Sequence, residues 1–205
     1  MGGGKCCTMK FLSALYRRLD KSYSARHFDL SYRIDPDPWR VADKPYEHHK
    51  ADTLVEVVAR RRHKNAIDIG CGPGILTQRF AAHCDHILGI DFSSRAISLA
   101  KERCRDDKHV SFAVGDIRNL KLSTKYDLLI CAEILYYMDP HDLDNTLDKI
   151  AELAAPDAWL LVLGFADDDP SLSTLKRRFK LLDYREDREW ARPFAVSLFG
   201  LRDIQ

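Results

Sequence analysis

The segment that most constrains this chain is the run DIGCGPGIL, residues 68–76, which places three glycines and a proline between aliphatic residues. Each glycine inside a helix or strand costs stability, because glycine loses more conformational freedom on folding than any other residue. Glycines at every second position therefore indicate a turn with bare main chain. We expect this turn to follow a strand, to begin a helix and to be approached closely by a ligand.

From residue 64 onward, short apolar runs alternate with segments whose apolar residues recur at helical spacing. Strands that alternate with helices predict βαβ units around a parallel sheet, and nearly continuous apolar strands fit a sheet covered on both faces. The last two runs are joined by only a few residues, which predicts an antiparallel pair. We therefore predict an α/β fold with a doubly wound, mostly parallel seven-stranded sheet and an antiparallel C-terminal hairpin. The predicted strands are NAIDIG, HILGIDF, VSFAVGDI, YDLLICAEIL, AWLLVLGF, KLLDYRED and PFAVSLFGL.

Residues 1–30 are polar and basic, and we predict an N-terminal extension that is partly disordered or forms a short helix. Its tip, MGGGKCCT, resembles an acylation signal, but Cys6 stands where that signal has Ser or Thr. A disordered tip is the simpler interpretation, and we favour it. The apolar residues at helical spacing are Phe11, Leu12, Leu15 and Leu19.

Residues 31–205 are predicted to form one domain, into which residues 31–63 lead as a loop and a helix. The stretch from Tyr32 to Glu47 contains three prolines, which interrupt helical hydrogen bonding and predict an ordered loop. Pro45 fits the first turn of the helix that follows. That helix ends in the basic run RRRHKN, to which we assign a structural role, since cations are favourable at a helix C-terminus.

Composition argues against several classes of function. The 32 basic and 31 acidic residues nearly cancel, which argues against nucleic acid as a partner. No apolar run is long enough to span a bilayer, so we expect no membrane partner. The six cysteines form no Cys-x-x-Cys pair, which predicts no metal site and a reducing, cytoplasmic location. The sequence predicts no particular oligomeric state.

Two acidic residues indicate what the glycine turn binds. Ile75 stands where the dinucleotide fingerprint requires Gly or Ala, and no Gly-Lys-Ser/Thr follows, which excludes a P-loop. Asp91 ends the second predicted strand, where its carboxylate can accept hydrogen bonds from ribose hydroxyls. Asp116 ends the third strand, where its carboxylate or the neighbouring backbone can meet an adenine amino group. The alternative for Asp91 is a cap on the next helix, although Ser93 is an equally good cap.

Together these segments resemble the class I S-adenosylmethionine-dependent methyltransferases over residues 64–205. The resemblance rests on AIDIGCGPG, GIDFS, VGDI and LLICAEILYYM, in that order. The segment YRIDPDPWRVADKPYEHHKADTL is similar to the NodS-like enzymes, which N-methylate a chitooligosaccharide precursor in rhizobia. The resemblance implies S-adenosylmethionine as cofactor, with the glycine turn around its amino acid part. The implied cofactor contacts are Tyr32, Trp39, Arg40, Asp68, Gly70, Cys71, Gly72, Gly74, Asp91, Phe92, Asp116, Ile117 and Glu133.

The resemblance also implies how the parts of the cofactor are held. Asp68 would contact the amino group of the methionine part, directly or through water, and Asp91 would hold the ribose. Asp116 and Ile117 would flank the adenine. Trp39 and Arg40 lie on the loop that would close over the cofactor, with the Arg40 guanidinium on the cofactor carboxylate. The alternative for Trp39 is a loop anchor packed on the domain.

Glu133 and Tyr136 are the candidate catalytic residues. Glu133 lies near the end of the fourth predicted strand, beside the expected methyl group, where it could orient or deprotonate an amine. Its alternative role is a cap for the next helix. Tyr136 and Tyr137 could line the acceptor pocket, with one ring near the sulfonium, or pack in the core. Tyr46 and Glu47 are further candidates for contact with the acceptor.

The predicted function is transfer of a methyl group from S-adenosylmethionine to a small molecule. We expect N-methylation of an amino sugar or a similar amine, since the resemblance extends to the NodS-like enzymes. Two alternatives remain open: an O-methyltransferase of a small metabolite, and a non-catalytic protein that binds the cofactor. The intact glycine turn argues against the second. The fourth strand is not followed by the Asp/Asn-Pro-Pro-Tyr run of nucleic-acid amino methyltransferases.

Overall fold

The structure, a computed structural model, describes residues 25–167 and 169–201. The helix predicted around residues 11–19 and the tip with Cys6 lie outside the described residues. No helix within the described ranges is long and apolar enough to cross a membrane. The elements are α1 (Ala25–Ile34), α2 (Pro45–Val58), β1 (His63–Ile69), α3 (Ile75–Ala81), β2 (Cys84–Asp91), α4 (Ser94–Arg103), β3 (Val110–Val114), β4 (Tyr126–Ala132), a 3₁₀ helix (Leu135–Tyr137), α5 (Pro140–Leu153), β5 (Ala154–Phe165), α6 (Pro170–Arg178), β6 (Lys180–Asp187) and β7 (Phe194–Gly200).

The seven strands form one sheet in the order β3-β2-β1-β4-β5-β7-β6. All pairs from β3 to β5 are parallel, whereas β7 is antiparallel to both β5 and β6. Parallel neighbours need long crossovers, which α3, α4 and α5 supply. The predicted doubly wound α/β fold and its antiparallel C-terminal hairpin are confirmed.

The order of the strands reverses at β1, which lies between β2 and β4. Ile69, the last residue of β1, pairs with Ile90 of β2 and with Cys131 of β4, so three strand ends lie side by side. In a doubly wound sheet the segments leaving two such neighbouring strands run to opposite faces, and a crevice opens between them. The glycine turn directly follows β1 and therefore stands at this crevice.

Helices cover both faces of the sheet, as its nearly continuous apolar strands predict. On one face, Leu147 and Ile150 of α5 pack with Leu129 of β4. On the other face, Leu54 of α2 and Phe80 of α3 are fully buried against the strands. Full burial of a side chain of this kind stabilises by roughly 1.5–3 kcal/mol. Helix α2 is thereby held at a fixed position beside the crevice.

The N-terminal segment differs in part from its prediction. The loop predicted from Tyr32 begins only after α1, and the predicted boundary at residues 30 and 31 falls inside this helix. Pro36 and Pro38 restrict the backbone only from the residue before each of them, so they do not interrupt α1. Helix α2 begins with Pro45 in its first turn, as expected.

The basic run after α2 makes structural ion pairs. Arg60 pairs with Asp183 of β6 at 2.5 Å, and Arg62 pairs with Asp85 of β2 at 2.6 Å. The predicted reason for this run is wrong, because α2 ends at Val58 without a basic residue in its last turn, and the run continues into β1. Its arginines pair with carboxylates on the strands and not with the end of the helix.

Candidate functional site

A cavity of about 360 Å³ lies where the strands end. Its wall comes from α1, α2, the glycine turn and the segments that follow β2, β3 and β4. This volume is in the range of small-molecule sites. Three residues predicted to belong to the site, Arg40, Asp68 and Gly74, are not part of its wall. The other predicted residues line it: Tyr32, Trp39, Gly70, Cys71, Gly72, Asp91, Phe92, Asp116, Ile117, Glu133 and Tyr136.

The glycine turn has a left-handed backbone, with φ of 76° at Gly70, 53° at Gly72 and 75° at Gly74. Side chains are strained in this region. A Cβ on Gly70 would lie 2.6 Å from Ile134 Cγ2, and one on Gly72 would lie 2.8 Å from the Tyr32 hydroxyl. The backbone geometry and neighbouring side chains therefore already require these glycines, whereas the sequence suggested that a ligand was the reason. Gly70 and Gly72 still line the cavity.

Asp68 lies beneath the turn and not at the cavity surface. Its side chain is buried and accepts a hydrogen bond from Thr77 Oγ1 at 2.6 Å. Burial raises the pKa of Asp68 to about 6. The structure therefore does not bring Asp68 to a position of direct contact with a ligand. Cys71 does line the cavity, and burial raises the pKa of its thiol well above the usual value, which makes it a neutral, unreactive group.

Asp91 joins the glycine turn to the end of β2. Its carboxylate accepts hydrogen bonds from the backbone N–H of Gly72 at 3.0 Å and of Ser93 at 2.8 Å. The cap of α4 is Ser93, whose hydroxyl accepts from the Ala96 N–H, so Asp91 is not needed for that task. Burial raises the pKa of Asp91. Next to it, the exposed ring of Phe92 lines the cavity.

The carboxylate of Asp116 forms an ion pair with Arg118. This carboxylate accepts hydrogen bonds from Arg118 Nε at 2.9 and 3.0 Å, and these bonds lower the pKa of Asp116. Arg118 also pairs with Asp142 in the first turn of α5. The carboxylate predicted for an adenine amino group is thus already engaged by a cation. The buried Ile117 side chain provides an apolar wall beside it.

Tyr32 and Trp39 come together at the outer wall, but Arg40 does not join them. The Tyr32 ring is buried, and its centroid lies 5.4 Å from that of Trp39, which also contacts Phe28 at 5.7 Å. Trp39 is therefore both an anchor of the loop and a part of the cavity wall. Arg40 is exposed and pairs with Asp43 at 3.4 Å, so its guanidinium is used within the loop itself.

Glu133 stands directly after β4, at the other end of the cavity. Its φ of 62° is unusual for a residue with a side chain, and its N–H donates to Leu163 O at 2.9 Å. Its carboxylate accepts hydrogen bonds from Lys50 Nζ at 2.6 Å and from the Tyr136 hydroxyl. Asp139 caps α5, so the alternative role of Glu133 as a helix cap is wrong.

Lys50 of α2 is a site residue that no sequence pattern had singled out. It lines the cavity and is only 4% exposed. Its ammonium also contacts Glu47 at 2.8 Å and lies 4.7 Å from the centre of the Tyr46 ring. Burial opposes the charge on Lys50, but the carboxylates of Glu133 and Glu47 outweigh it and raise the pKa. The sequence signal that could have revealed Lys50 is its spacing of three residues from Glu47, which places both side chains on one helical face.

Arg192, on the connection between β6 and β7, is a second residue that the sequence did not reveal. It lines the cavity with its guanidinium 4.6 Å from the centre of the Phe165 ring. Its carbonyl oxygen accepts a hydrogen bond from the Tyr46 hydroxyl at 2.8 Å. Tyr46 is therefore used in a tether and is not part of the cavity wall, whereas Glu47 and Tyr137 are.

The two ends of the cavity suit different chemical groups. The glycine turn with Asp91 offers bare main chain and a carboxylate, which suits a polar ligand with hydroxyl groups. The end at Glu133 offers two carboxylates and a phenol, balanced by the cations of Lys50 and Arg192, so a neutral amine can donate a hydrogen bond there without adding charge. Within residues 25–167 and 169–201, no cluster of three or more His, Cys, Asp or Glu side chains could hold a metal ion.

Known proteins resemble this chain in sequence. The family model described as nodulation protein S (NodS) matches residues 27–171. Nodulation protein S of Rhizobium tropici is 31% identical over 134 residues, which are 64% of this chain and 56% of that protein. The chain thus spans little more than half the length of this relative. A ubiquinone biosynthesis O-methyltransferase of Coxiella burnetii is 26% identical over 174 residues, which are 82% of this chain and 68% of that protein.

A solved structure resembles the fold. The N-methyltransferase NodS of Bradyrhizobium japonicum WM9, crystallised in complex with S-adenosyl-L-homocysteine, matches with a TM-score of 0.81. The match covers 87% of this chain and 98% of that chain at 23% identity. At this identity the likeness shows the fold alone.

Proposed function

The chain belongs to the nodulation protein S (NodS) family, and on that premise we propose that it is an S-adenosylmethionine-dependent methyltransferase acting on a small-molecule amine. The proposed acceptor is the amine of an amino sugar, an oligosaccharide or a similar compound. The family match over residues 27–171 supports this, as does the name of the B. japonicum relative, an N-methyltransferase.

The observation that best supports the cofactor proposal is the hydrogen bond from the Gly72 N–H to the Asp91 carboxylate. The Asp91 carboxylate is held by two backbone N–H groups and still lines the cavity, where its remaining lone pairs can accept from ribose hydroxyls. The turn at Gly70 and Gly72 would receive the amino acid part, and Phe92 and Ile117 would flank the base. When bound, S-adenosylmethionine supplies a methyl group on a positively charged sulfur.

The protein's contribution to the reaction would be alignment. Holding two reactants in a productive geometry is worth up to about 7–11 kcal/mol in favourable cases. Glu133 would accept a hydrogen bond from the acceptor amine and turn the nitrogen lone pair towards the methyl group. Tyr136 and Tyr137 would exclude water from this end, because both rings line the cavity and lie 4.4 Å apart.

Binding and transfer can be tested separately. Calorimetry with S-adenosylhomocysteine and with NADH should show binding of the first and none of the second. A screen with a labelled methyl donor would then compare pairs of acceptors that differ only in an amine or a hydroxyl at one carbon, starting with amino sugars. We expect label on the amines alone. Binding of NADH but not of S-adenosylhomocysteine would overturn the proposed cofactor.

A second candidate function is O-methylation of a small metabolite. The C. burnetii O-methyltransferase, whose match covers 82% of this chain, favours it. The paired acceptors decide between the two, since label on the hydroxyl member would identify an O-methyltransferase. Binding of S-adenosylhomocysteine without transfer to any acceptor would indicate a non-catalytic protein.

We also propose a cytoplasmic location. Four cysteines in the described part of the chain, Cys71, Cys84, Cys104 and Cys131, are buried and free. Reduced thiols of this kind are typical of reducing compartments. The amount of the chain in cytosolic and membrane fractions, measured with an antibody to the chain, would test the location. Recovery of most of the chain outside the cytosolic fraction would contradict it.

A further inference from the structure

A buried ion pair joins α2 to the end of β4 at the acceptor end of the cavity. We propose that Lys50 is a positioning residue for methyl transfer, whose ammonium holds the Glu133 carboxylate in the orientation that receives the acceptor amine. This inference rests on the proposed function and assigns a residue that the resemblance did not include.

The contacts of Glu133 define that orientation. One carboxylate oxygen, Oε1, accepts from Lys50 Nζ at 2.6 Å, and the other, Oε2, accepts from the Tyr136 hydroxyl. Burial and the nearby Glu133 charge raise the pKa of Tyr136, so its phenol keeps the proton that it donates. Each oxygen therefore has its own donor, and rotation of the carboxylate would break one bond or both.

The two side chains of the ion pair differ in how much of their surface is exposed to solvent. The side chain of Lys50 is 5% exposed, whereas that of Glu133 is 26% exposed. Both residues line the cavity, but Glu133 is the more accessible of the two, and each of its oxygens keeps a lone pair that can accept from a ligand. Lys50 therefore acts on a bound amine through Glu133. It does not act as a base, since its pKa is raised and it stays charged.

Stability does not account for this arrangement. A buried ion pair is often no better for stability than apolar side chains of similar volume, and Lys50 has the buried apolar neighbours Ala51 and Leu54 in its own helix. In addition, Glu133 has a left-handed backbone, which costs free energy and is found preferentially at functional sites. A residue with a strained backbone, whose carboxylate is held by a buried lysine, indicates selection for geometry.

The other charged and titratable groups near Lys50 come from three segments. On α2 itself, Glu47 shares the ammonium at 2.8 Å and Tyr46 presents its ring to it. The 3₁₀ helix contributes Tyr136. The connection between β6 and β7 contributes Arg192, whose pKa the charge of Glu133 raises although burial opposes it. The carboxylates of Glu47 and Glu133 are thus balanced by two cations.

The test compares Lys50→Met, which keeps the length of the side chain without its charge, with Lys50→Arg, which keeps the charge. The control is Lys149→Met, because Lys149 also pairs with a glutamate three residues away but lies outside the cavity. For Lys50→Met we expect a kcat about 100-fold lower, the cost of a misplaced reacting group, with affinity for S-adenosylhomocysteine unchanged. The melting temperature should fall, because the carboxylates of Glu133 and Glu47 lose a buried partner, so kcat is measured well below the melting temperature of the variant. Lys50→Arg should recover most of the loss, and Lys149→Met should behave as the wild type.

Two results would overturn the inference. A large loss of S-adenosylhomocysteine affinity in Lys50→Met would make Lys50 a cofactor ligand. A wild-type kcat in Lys50→Met would remove it from the reaction altogether.

A second measurement needs no acceptor. In protein labelled with ¹⁵N-lysine, the ammonium of Lys50 can be titrated by NMR in the wild type and in Glu133→Gln. We expect a lower pKa of Lys50 in the variant, because it loses the carboxylate that raises this pKa. An unchanged titration would show that the two groups are not paired, and the inference would fail. Failure of the proposed function would instead appear as a wild type that binds S-adenosylhomocysteine and methylates no amine.

Discussion

The two ends of the cavity are built in different ways. At the end proposed to bind the cofactor, consecutive residues form the wall with their main chain, and the Asp91 carboxylate accepts a hydrogen bond from the Gly72 N–H. At the acceptor end, side chains converge from three separate segments: Lys50 from α2, Tyr136 from the 3₁₀ helix and Arg192 from the last hairpin connection. A wall of main chain tolerates few substitutions, whereas a wall of side chains can change one residue at a time. This difference would let relatives keep one cofactor and use different acceptors.

The largest effect should follow a substitution in the main-chain wall. In Gly70→Val, a β-branched residue would be forced to a φ of 76°, and its Cβ would lie 2.6 Å from Ile134. Strain and overlap together should weaken S-adenosylhomocysteine binding by about 100-fold and lower the melting temperature. In the control Gly200→Ala, the new Cβ would meet only Leu182 at 3.3 Å, so binding should be normal. Calorimetry would measure both affinities, and tight binding by Gly70→Val would show that the main-chain wall tolerates a side chain after all.

At the proposed acceptor end, loss of the Glu133 charge should lower kcat and leave cofactor affinity nearly unchanged. Glu133→Gln removes the carboxylate that faces the amine and should lower kcat by about 100-fold, the usual contribution of a positioned acid or base. S-adenosylhomocysteine affinity should stay within about twofold, since the amide keeps the volume of the side chain. The exposed Glu152, changed to Gln, serves as control. If Glu133→Gln lost cofactor binding and turnover alike, the two ends would not be separable.

A smaller effect should follow loss of the carboxylate on β2. Asp91→Ala should weaken S-adenosylhomocysteine binding about tenfold, the scale of a lost hydrogen bond to a charged group. The control is Asp85→Ala on the same strand, since Asp85 pairs with Arg62 at the surface and does not line the cavity. Equal affinities of the two variants in calorimetry would remove Asp91 from the cofactor site.

The smallest effect concerns the buried carboxyl beneath the main-chain wall. The folded state raises the pKa of Asp68 from 3.8 to about 6, so it binds a proton that the unfolded chain releases. The free energy of unfolding should therefore fall as pH rises, by about 1 kcal/mol between pH 5 and pH 6 from this residue. Asp68→Asn should remove that part of the slope, as measured by urea unfolding at several pH values. An identical slope in the variant would contradict the assignment.

The fold and the position of the glycine turn at the cavity were predictable because they depend on residues close together in sequence. The glycine turn and the aspartates that end two strands each follow directly from a local pattern. The acceptor end depends on pairs that are distant in sequence, such as Lys50 with Glu133, 83 residues apart, and Tyr46 with Arg192, 146 residues apart. No local pattern encodes such a pair.

Arg40 shows a further reason why side chains escaped prediction. Its place on the loop was correct, but loop position does not determine the direction of a long side chain. A carboxylate three residues away, that of Asp43, is available at once and binds the guanidinium. The same holds for Asp116, whose partner Arg118 is only two residues distant. A nearby opposite charge competes with any ligand contact inferred from sequence.

One contact described above connects the two ends. Ile134, the neighbour of Glu133 in the chain, extends its Cγ2 over Gly70, so the wall proposed to receive the cofactor and the carboxylate proposed to receive the amine meet through one methyl group. Substitutions at these two places should consequently be non-additive, because a change in one displaces the support of the other. Substitutions near Glu133 that alter acceptor preference by moving Ile134 would then also lower the affinity for the methyl donor.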